Sequence, residues 1–475
     1  MAPLLLHRLF NTTVPAEEFN TQWTDPAGVF SVLLILGAPV IKCALAQVVG
    51  SRITPIAFSF GWVGYSVAAV IDGVGVNRLM PPPDTDCTVM NGDNGYTRKN
   101  TSWIIGRIMR DYDHWMDDEV RTTTADMLAQ KEQEERDAKI RVEPGSGDGN
   151  RIKPRTRVGL CVAFYRAEPA KVGTGGEDFV YYSGFFVMGF QLGIAAIPMG
   201  FFGDWSILMV TGAAIILAII TGSLEQWRRE KWACRDENKR RTVVITRGNG
   251  AQHAIIVNSD RVGLDLEDLS AGTANVEHSA SVCTRGILVL LALLWICLLI
   301  AAAGIEKNTW FLLAVGGLGI LQNIYVAAWW RKPVQFGVPL TYDGLVAEPK
   351  TMKTLYNVEQ RQAGLGQHLR SIFFPGGSLR DEEEVAWAYL AGKTKYSDRI
   401  ERLRNNGQLD NAEEWQAFVI RSLAQELGEQ HRYTLENMAI HALILRNLGR
   451  DDEAGDEEEE IHKRRKRRRH RRRSR

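Results

Sequence analysis

The sequence predicts an α-helical multi-pass membrane protein with six spans in three hairpins, a small cytosolic β-sheet and a cytosolic C-terminal helical region. Three observations carry this. Apolar side chains, 45% of the 475 residues, collect in six stretches of about 20, the length that crosses a bilayer as a helix. Runs rich in Val, Ile and Thr flank a Gly-Asn-Gly turn in the polar sequence between them. The mean hydropathy is nevertheless −0.16, so long segments lie in water.

Residues 1–26 form an N-terminal tail. Its opening, MAPLLLHRLF, has an apolar patch shorter than a signal-peptide core, so the first span is expected to act as an uncleaved signal anchor. The spans read as 27–49 with 53–73, 180–202 with 206–224, and 286–304 with 309–330. Each pair is joined by a few residues, which makes its members antiparallel neighbours. Lys and Arg set the orientation. Arg228, Arg229, Lys231, Arg235, Lys239, Arg240 and Arg241 follow the fourth span, whereas the three tight turns hold only Arg52 and Lys307. By the positive-inside rule the long loops and both termini are cytosolic, without distinguishing plasma membrane from endomembrane. Trp205, Trp227, Trp310, Trp329 and Trp330 at span edges suit the headgroup layer. The sequons at Asn11 and Asn100 fall on the cytosolic side in this scheme and are expected to be unused.

The loop 74–179 carries Trp103, Ile104, Ile105, Ile108, Met109, Tyr112, Trp115 and Met116 at helical spacing, an amphipathic helix that caps the bundle or lies along the membrane. Charged helix follows over 125–142, then a flexible linker from Pro144 and a strand over 158–165. In the loop 225–285, Thr242–Thr246 and Ala254–Val257 form a hairpin about Gly248-Asn249-Gly250, and the two loops are expected to share one sheet. The turn beside Arg247, with His253 close behind, makes Arg247, Gly248, Asn249, Gly250 and His253 a candidate binding site in which backbone N–H groups cradle a phosphate; a plain hairpin turn is the simpler reading.

Two resemblances add to this. The runs Phe58-Ser-Phe-Gly-Trp-Val-Gly-Tyr65, Trp227-Arg-Arg-Glu-Lys-Trp-Ala-Cys234, Thr246-Arg-Gly-Asn-Gly-Ala-Gln-His-Ala254, Gly263-Leu-Asp-Leu-Glu-Asp-Leu269 and Phe373-Phe-Pro-Gly-Gly377 resemble signature stretches of a family of multi-pass membrane proteins from filamentous ascomycete fungi, over residues 25–390. The resemblance implies a membrane location and fungal origin, and no reaction. Gly407-Gln-Leu-Asp-Asn-Ala412 recurs as Gly449-Arg-Asp-Asp-Glu-Ala454, and with Leu427–Met438 between them the segment 407–454 of the helical region 331–450 resembles a kinesin-light-chain-type tetratricopeptide repeat. In that arrangement Trp415, Phe418, Val419, Leu423 and Leu427 would pack on Met438, Ala442, Leu445 and Leu448. Arg432 departs from the proline usual after the histidine.

The net charge of +1 hides an asymmetry. Residues 461–475 hold eleven Lys and Arg, leaving 46 basic against 56 acidic elsewhere. Like-charge blocks repel, so the acidic and basic runs of 451–475 are expected to be disordered. The basic block 463–475 is expected to contact anionic lipid, residues 331–455 a cytosolic protein, and neither a nucleic acid.

Within the spans the polar side chains are Lys42, Gln191, Gln322 and Asn323, with Asp72 at the end of the second. In an antiparallel hairpin Lys42 and Asp72 would differ in depth by about 18 Å and would not pair. Six cysteines show no metal-like or disulfide pattern. No GxSxG, HExxH or Walker loop occurs, so no catalytic residue, metal or cofactor is expected. A non-enzymatic membrane protein presenting cytosolic interaction modules is the first reading, a small-solute transporter or channel the second, and a membrane enzyme with a cytosolic site near Arg247–His253 the third.

Overall fold

The computed structural model describes residues 27–142, 157–235, 239–272 and 279–473. In chain order the helices are α1 (Ala27–Val48), α2 (Gly61–Ile71, extended by a wide turn to Val76), α3 (Trp103–Arg110), α4 (Tyr112–Trp115) and α5 (Asp118–Val142). Next come α6 (Phe179–Phe202), α7 (Ser206–Gly222), α8 (Glu225–Lys231), α9 (Leu266–Gly272), α10 (Val282–Ala303) and α11 (Thr309–Ala328). The C-terminal part holds α12 (Thr351–Arg361), α13 (Leu365–Phe373), α14 (Asp381–Leu390), α15 (Lys395–Asn405), α16 (Leu409–Glu426), α17 (Arg432–Asn447) and α18 (Asp451–Arg473). The strands are β1 (Thr88–Asn91), β2 (Thr97–Lys99), β3 (Leu160–Ala167), β4 (Arg241–Thr246), β5 (His253–Ser259) and β6 (Leu340–Glu348).

The chain is a multi-span helical membrane protein. Among the described residues α6, α10 and α11 are long and apolar enough to cross a membrane, and the number rises to four if α7 and α8, bent by 42° at a short break, count as one span. The expected first hairpin takes another form. Residues 52–60 are not helical: Thr54 precedes Pro55, which disfavours α geometry there, and β-branched Ile53, Thr54 and Ile56 favour extended chain. Helix α2 starts only at Gly61, whose backbone lies against that of Gly37, a fit too close for a side chain on either. Gly50 rests on Trp232, while the Asn77 side chain accepts a hydrogen bond from Arg285 at 2.7 Å. Residues 50–76 therefore enter the bundle extended and leave it as helix by the same end, the end that faces the sheet. Because α2 then runs alongside α1 in the same direction, Lys42 and Asp72 meet and form an ion pair, correcting the expected separation in depth.

The six strands form one sheet in the order β2-β1-β4-β5-β3-β6, antiparallel except for β3 with β5. Period-two alternation gives it two apolar faces. Val89, Ala163, Tyr165, Val243, Ile245 and Ile255 join the core shared with the bundle and α3, while Met90, Val162, Phe164, Val244 and Ile256 pack on Leu355, Leu369 and Trp387 of α12, α13 and α14. The region from 331 is therefore not wholly helical, since β6 pairs with β3 before the helices begin. The amphipathic segment is split at Asp111 into α3 and α4, and it is buried between sheet and bundle instead of lying open on a membrane surface.

Three buried cations join sheet unit and bundle by capping carbonyls at helix C-termini, where the macrodipole favours positive charge. Lys231 donates to Gln47 and Val49 carbonyls at 3.2 and 2.6 Å. Arg331 donates to the Gln47 carbonyl at 2.7 Å and pairs with Asp178. Arg107 reaches the Ala327 carbonyl at 2.7 Å and pairs with Asp84. Trp227, expected at the headgroups, is fully buried, whereas Trp205, Trp310 and Trp329 are exposed.

Helices α16 and α17 pack as a pair, with Val419, Leu423 and Ile444 in their shared core. Met438 packs with Ile461 of α18, with Ile420 of α16 at the edge of that cluster, and Ala442 and Leu445 pack on Ala454 of α18. The tail is thus helix through Arg473, not disordered. Its acidic block comes first and its basic block last, the order the helix dipole favours, and Glu459–Lys463 and Glu460–Arg464 are i,i+4 pairs in the favourable sense. Residues 1–26, with Asn11, and the expected linker from Pro144 to Asn150 lie outside the described residues.

Candidate functional site

Two places gather the side chains singled out by sequence. The first is the extended segment inside the bundle. Apart from short local bonds such as Ile56 N–H to the Thr54 carbonyl, its backbone does not pair with itself, and in a water-free environment each unsatisfied N–H or C=O costs several kcal/mol. The deep polar residues supply partners. Gln191, wholly buried, donates through Nε2 to the Phe58 and Val315 carbonyls at 2.6 and 2.8 Å, and its Oε1 accepts from the Phe58 amide at 3.3 Å. Gln322 Oε1 accepts from the Ala57 amide. Asn323 donates to the Ala57 carbonyl and to Ser59 Oγ, at 3.3 and 3.1 Å. Trp62 also donates to the Ala57 carbonyl, and Thr54 Oγ1 donates to the Gly222 carbonyl. Small residues make the room: a side chain on Gly184 would collide with the Pro55 carbonyl, and one on Gly319 with the Phe58 carbonyl. Lys42 is apart from this group, paired to Asp72. Gln191, Gln322 and Asn323 thus converge on one stretch of backbone.

The second place is a hollow of about 370 Å³ at the rim of the sheet, and it contains the expected hairpin turn. Gly248 and Gly250 have φ of +90° and +79°, conformations that glycine adopts without strain. The turn is closed by Ala251 N–H to the Gly248 carbonyl, and Gly248 N–H donates to Thr246 Oγ1. The amides of Asn249 and Gly250 donate to nothing among the described residues. Arg247 donates to the Met109 carbonyl at 3.3 Å. The His253 ring stands edge-on to Tyr112 at 5.3 Å, its Nδ1 buried without a partner. Burial holds the imidazole below its ordinary pKa, with Asp113 opposing and Arg247 reinforcing the shift, so it is neutral near pH 7. Burial likewise pushes the Tyr112 phenol up.

The hollow also draws in Arg157, Asp113 and Tyr112, which sequence reasoning did not associate with the turn. Arg157 lies about 90 residues before it and joins it only because β3 pairs in parallel with β5; no local pattern announces that pairing. The buried cations at the junction had a faint signal, since Lys231 and Arg331 each directly follow or precede tryptophans at a span end.

Asn100 is buried and engages Ser102 through both ends of its amide. Among the described residues no group of three His, Cys, Asp or Glu side chains could hold a metal ion. Comparison with known proteins gives no match to any family model, curated protein or solved structure.

Proposed function

We infer that this chain is a non-enzymatic membrane platform: a polar-sealed bundle that holds a sheet unit and presents the helices Asp381–Arg473 to a protein partner in the cytosol. What supports the reading is the use made of Gln191, Gln322 and Asn323. In a transporter the deep polar groups face a path, whereas here they hydrogen-bond the protein's own extended backbone. The basic end of α18, with Arg465, Lys466 and Arg467 exposed, offers charge for an acidic partner surface. The test is twofold. Liposomes containing the protein should show no solute flux above protein-free liposomes. Charge reversal at Arg465, Lys466 and Arg467 should abolish a complex that the unaltered full chain forms in cells. Flux with an intact complex-free protein would replace this reading.

The second reading, a small-solute transporter, draws on the broken element itself and on two buried atoms without partners beside it, Gln322 Nε2 and Asn323 Oδ1. The same liposome assay decides between them.

We propose the orientation from the basic residues after α7: by the positive-inside rule the sheet unit is cytosolic. Because residues 50–76 enter and leave by one end, α1 acts in this reading as the one crossing before α6, with its N-terminal end on the side opposite the sheet. This reading puts the N-terminus outside the cytosol, as an alternative to the expectation of two cytosolic termini. A glycan removed by Asn11→Gln would support it; protease removal of an N-terminal epitope from sealed cytosol-side-out vesicles would refute it.

A further inference from the structure

We propose that the hollow at the β4–β5 turn binds a phosphate monoester, held by Arg157, Arg247 and the turn amides. Charge is the first argument. Neither arginine has a carboxylate partner among the described residues, whereas five others near this sheet are paired: Arg98 and Arg241 to Glu267, Arg166 and Arg361 to Asp343, Arg235 to Asp268. An arginine left unpaired beside a cavity is a ready donor to phosphate, which its planar fork contacts through two N–H groups. Geometry is the second. Asn249 and Gly250 line the same hollow, and their amides have no acceptor among the described residues; consecutive amides in a glycine-rich turn form an anion-binding concavity. The third is His253, whose buried Nδ1 is unpartnered at the wall of the hollow.

Asp113 also faces the hollow. Its carboxylate repels a bare anion, so it selects a phosphate carried on a hydroxyl-bearing group whose O–H it can accept. The neighbouring chain runs to the membrane: His114 stacks on Trp330 at 5.5 Å, just past the end of α11. A lipid headgroup and a soluble phosphorylated metabolite therefore share the required chemistry.

The experiment uses the full-length protein in nanodiscs. In one arm the discs are neutral phosphatidylcholine and inositol 1-phosphate is titrated in solution; in the other the discs contain a few per cent phosphatidylinositol 4-phosphate, and the readout is the shift in melting temperature. Binding in the first arm assigns a metabolite, and binding only in the second assigns a headgroup. Arg157→Ala is the safest probe because this exposed side chain makes no contact that folding needs. It should weaken whichever binding is seen by about tenfold or more, the loss of a charge-assisted hydrogen bond. Arg166→Ala, on the same strand system and away from the hollow, should leave it unchanged. Absence of binding in both arms, or equal binding by Arg157→Ala, would overturn the proposal. Arg247→Ala with an unchanged melting temperature in the absence of ligand should lose binding as well; retained binding there also counts against it.

Discussion

Replacing Gln191 by leucine tests whether the deep polar residues exist to satisfy backbone. The substitution keeps the volume nearly constant and removes three hydrogen bonds, two of them to the amide and carbonyl of Phe58. The Val315 carbonyl lies within α11 and keeps its helical partner, so two groups are left without partners. At about 1–3 kcal/mol for each buried group left unsatisfied, the loss is about 2–6 kcal/mol. Hydrogen bonds between membrane helices measure lower, about 0.6 kcal/mol on average, because the unfolded segment in lipid finds other partners; an extended segment has fewer, which places the expectation near the lower end of the first range. Thr211→Val is the matched comparison, since Thr211 is buried in the same bundle with its hydroxyl unpartnered. Unfolding of the detergent-solubilised protein, followed by tryptophan fluorescence, should show Gln191→Leu clearly destabilised and Thr211→Val unchanged or more stable. Equal stability of Gln191→Leu and the parent protein, together with altered solute flux, would refute the reasoning and favour a polar path.

Gly250→Val should destabilise the sheet unit by about 1–2 kcal/mol, since a β-branched residue would have to adopt a φ of +79°, whereas His253→Ala should leave abundance unchanged; thermal melts and expression levels check both. His431 accepts the Tyr433 amide through Nδ1 as the N-cap of α17, and burial first, then Arg468, depresses its pKa to about 4. The folded state therefore binds a proton less readily than the unfolded chain, so α17 should lose stability as pH falls from about 6.5 toward 4. Hydrogen exchange of α17 amides should report this loss, and His431→Asn, which keeps a capping acceptor, should flatten it. Ile461→Asp, placing a carboxylate against Leu435 and Met438, should strip exchange protection from residues 454–464 while leaving α14–α16 protected.

The hairpin and its turn were legible because Gly-Asn-Gly between β-branched runs is a local signal, and the sheet follows from the same pattern. The first pair of apolar stretches was not, because hydropathy counts side chains and is blind to backbone conformation: residues 53–60 are as apolar as a helix would be, yet Pro55 and its β-branched neighbours hold them extended. The polar residues of α6 and α11 were noticed individually; that all three serve one stretch of backbone requires knowing that the stretch is not helical. The tail misled for a different reason. Each charge block repels itself, but acid before base is the sequence order that a helix dipole rewards, and only Ala454 and Ile461, buried against α17, mark the face that anchors it. The rim hollow was half legible, its turn in the sequence and its Arg157 wall only through the strand order.

The extended segment also constrains how the protein is made. Phe58 waits for Gln191, 133 residues later in the chain, and Ala57 for Gln322, 265 residues later. A nascent chain that has emerged only through α2 has Trp62 for the Ala57 carbonyl but lacks the side chains that satisfy the Ala57 and Phe58 amides and the Phe58 carbonyl, which disfavours its settling in the bilayer as it is synthesised. Its full set of partners exists only once α6 and α11 are present, so an early segment of the sequence completes its structure with the last span.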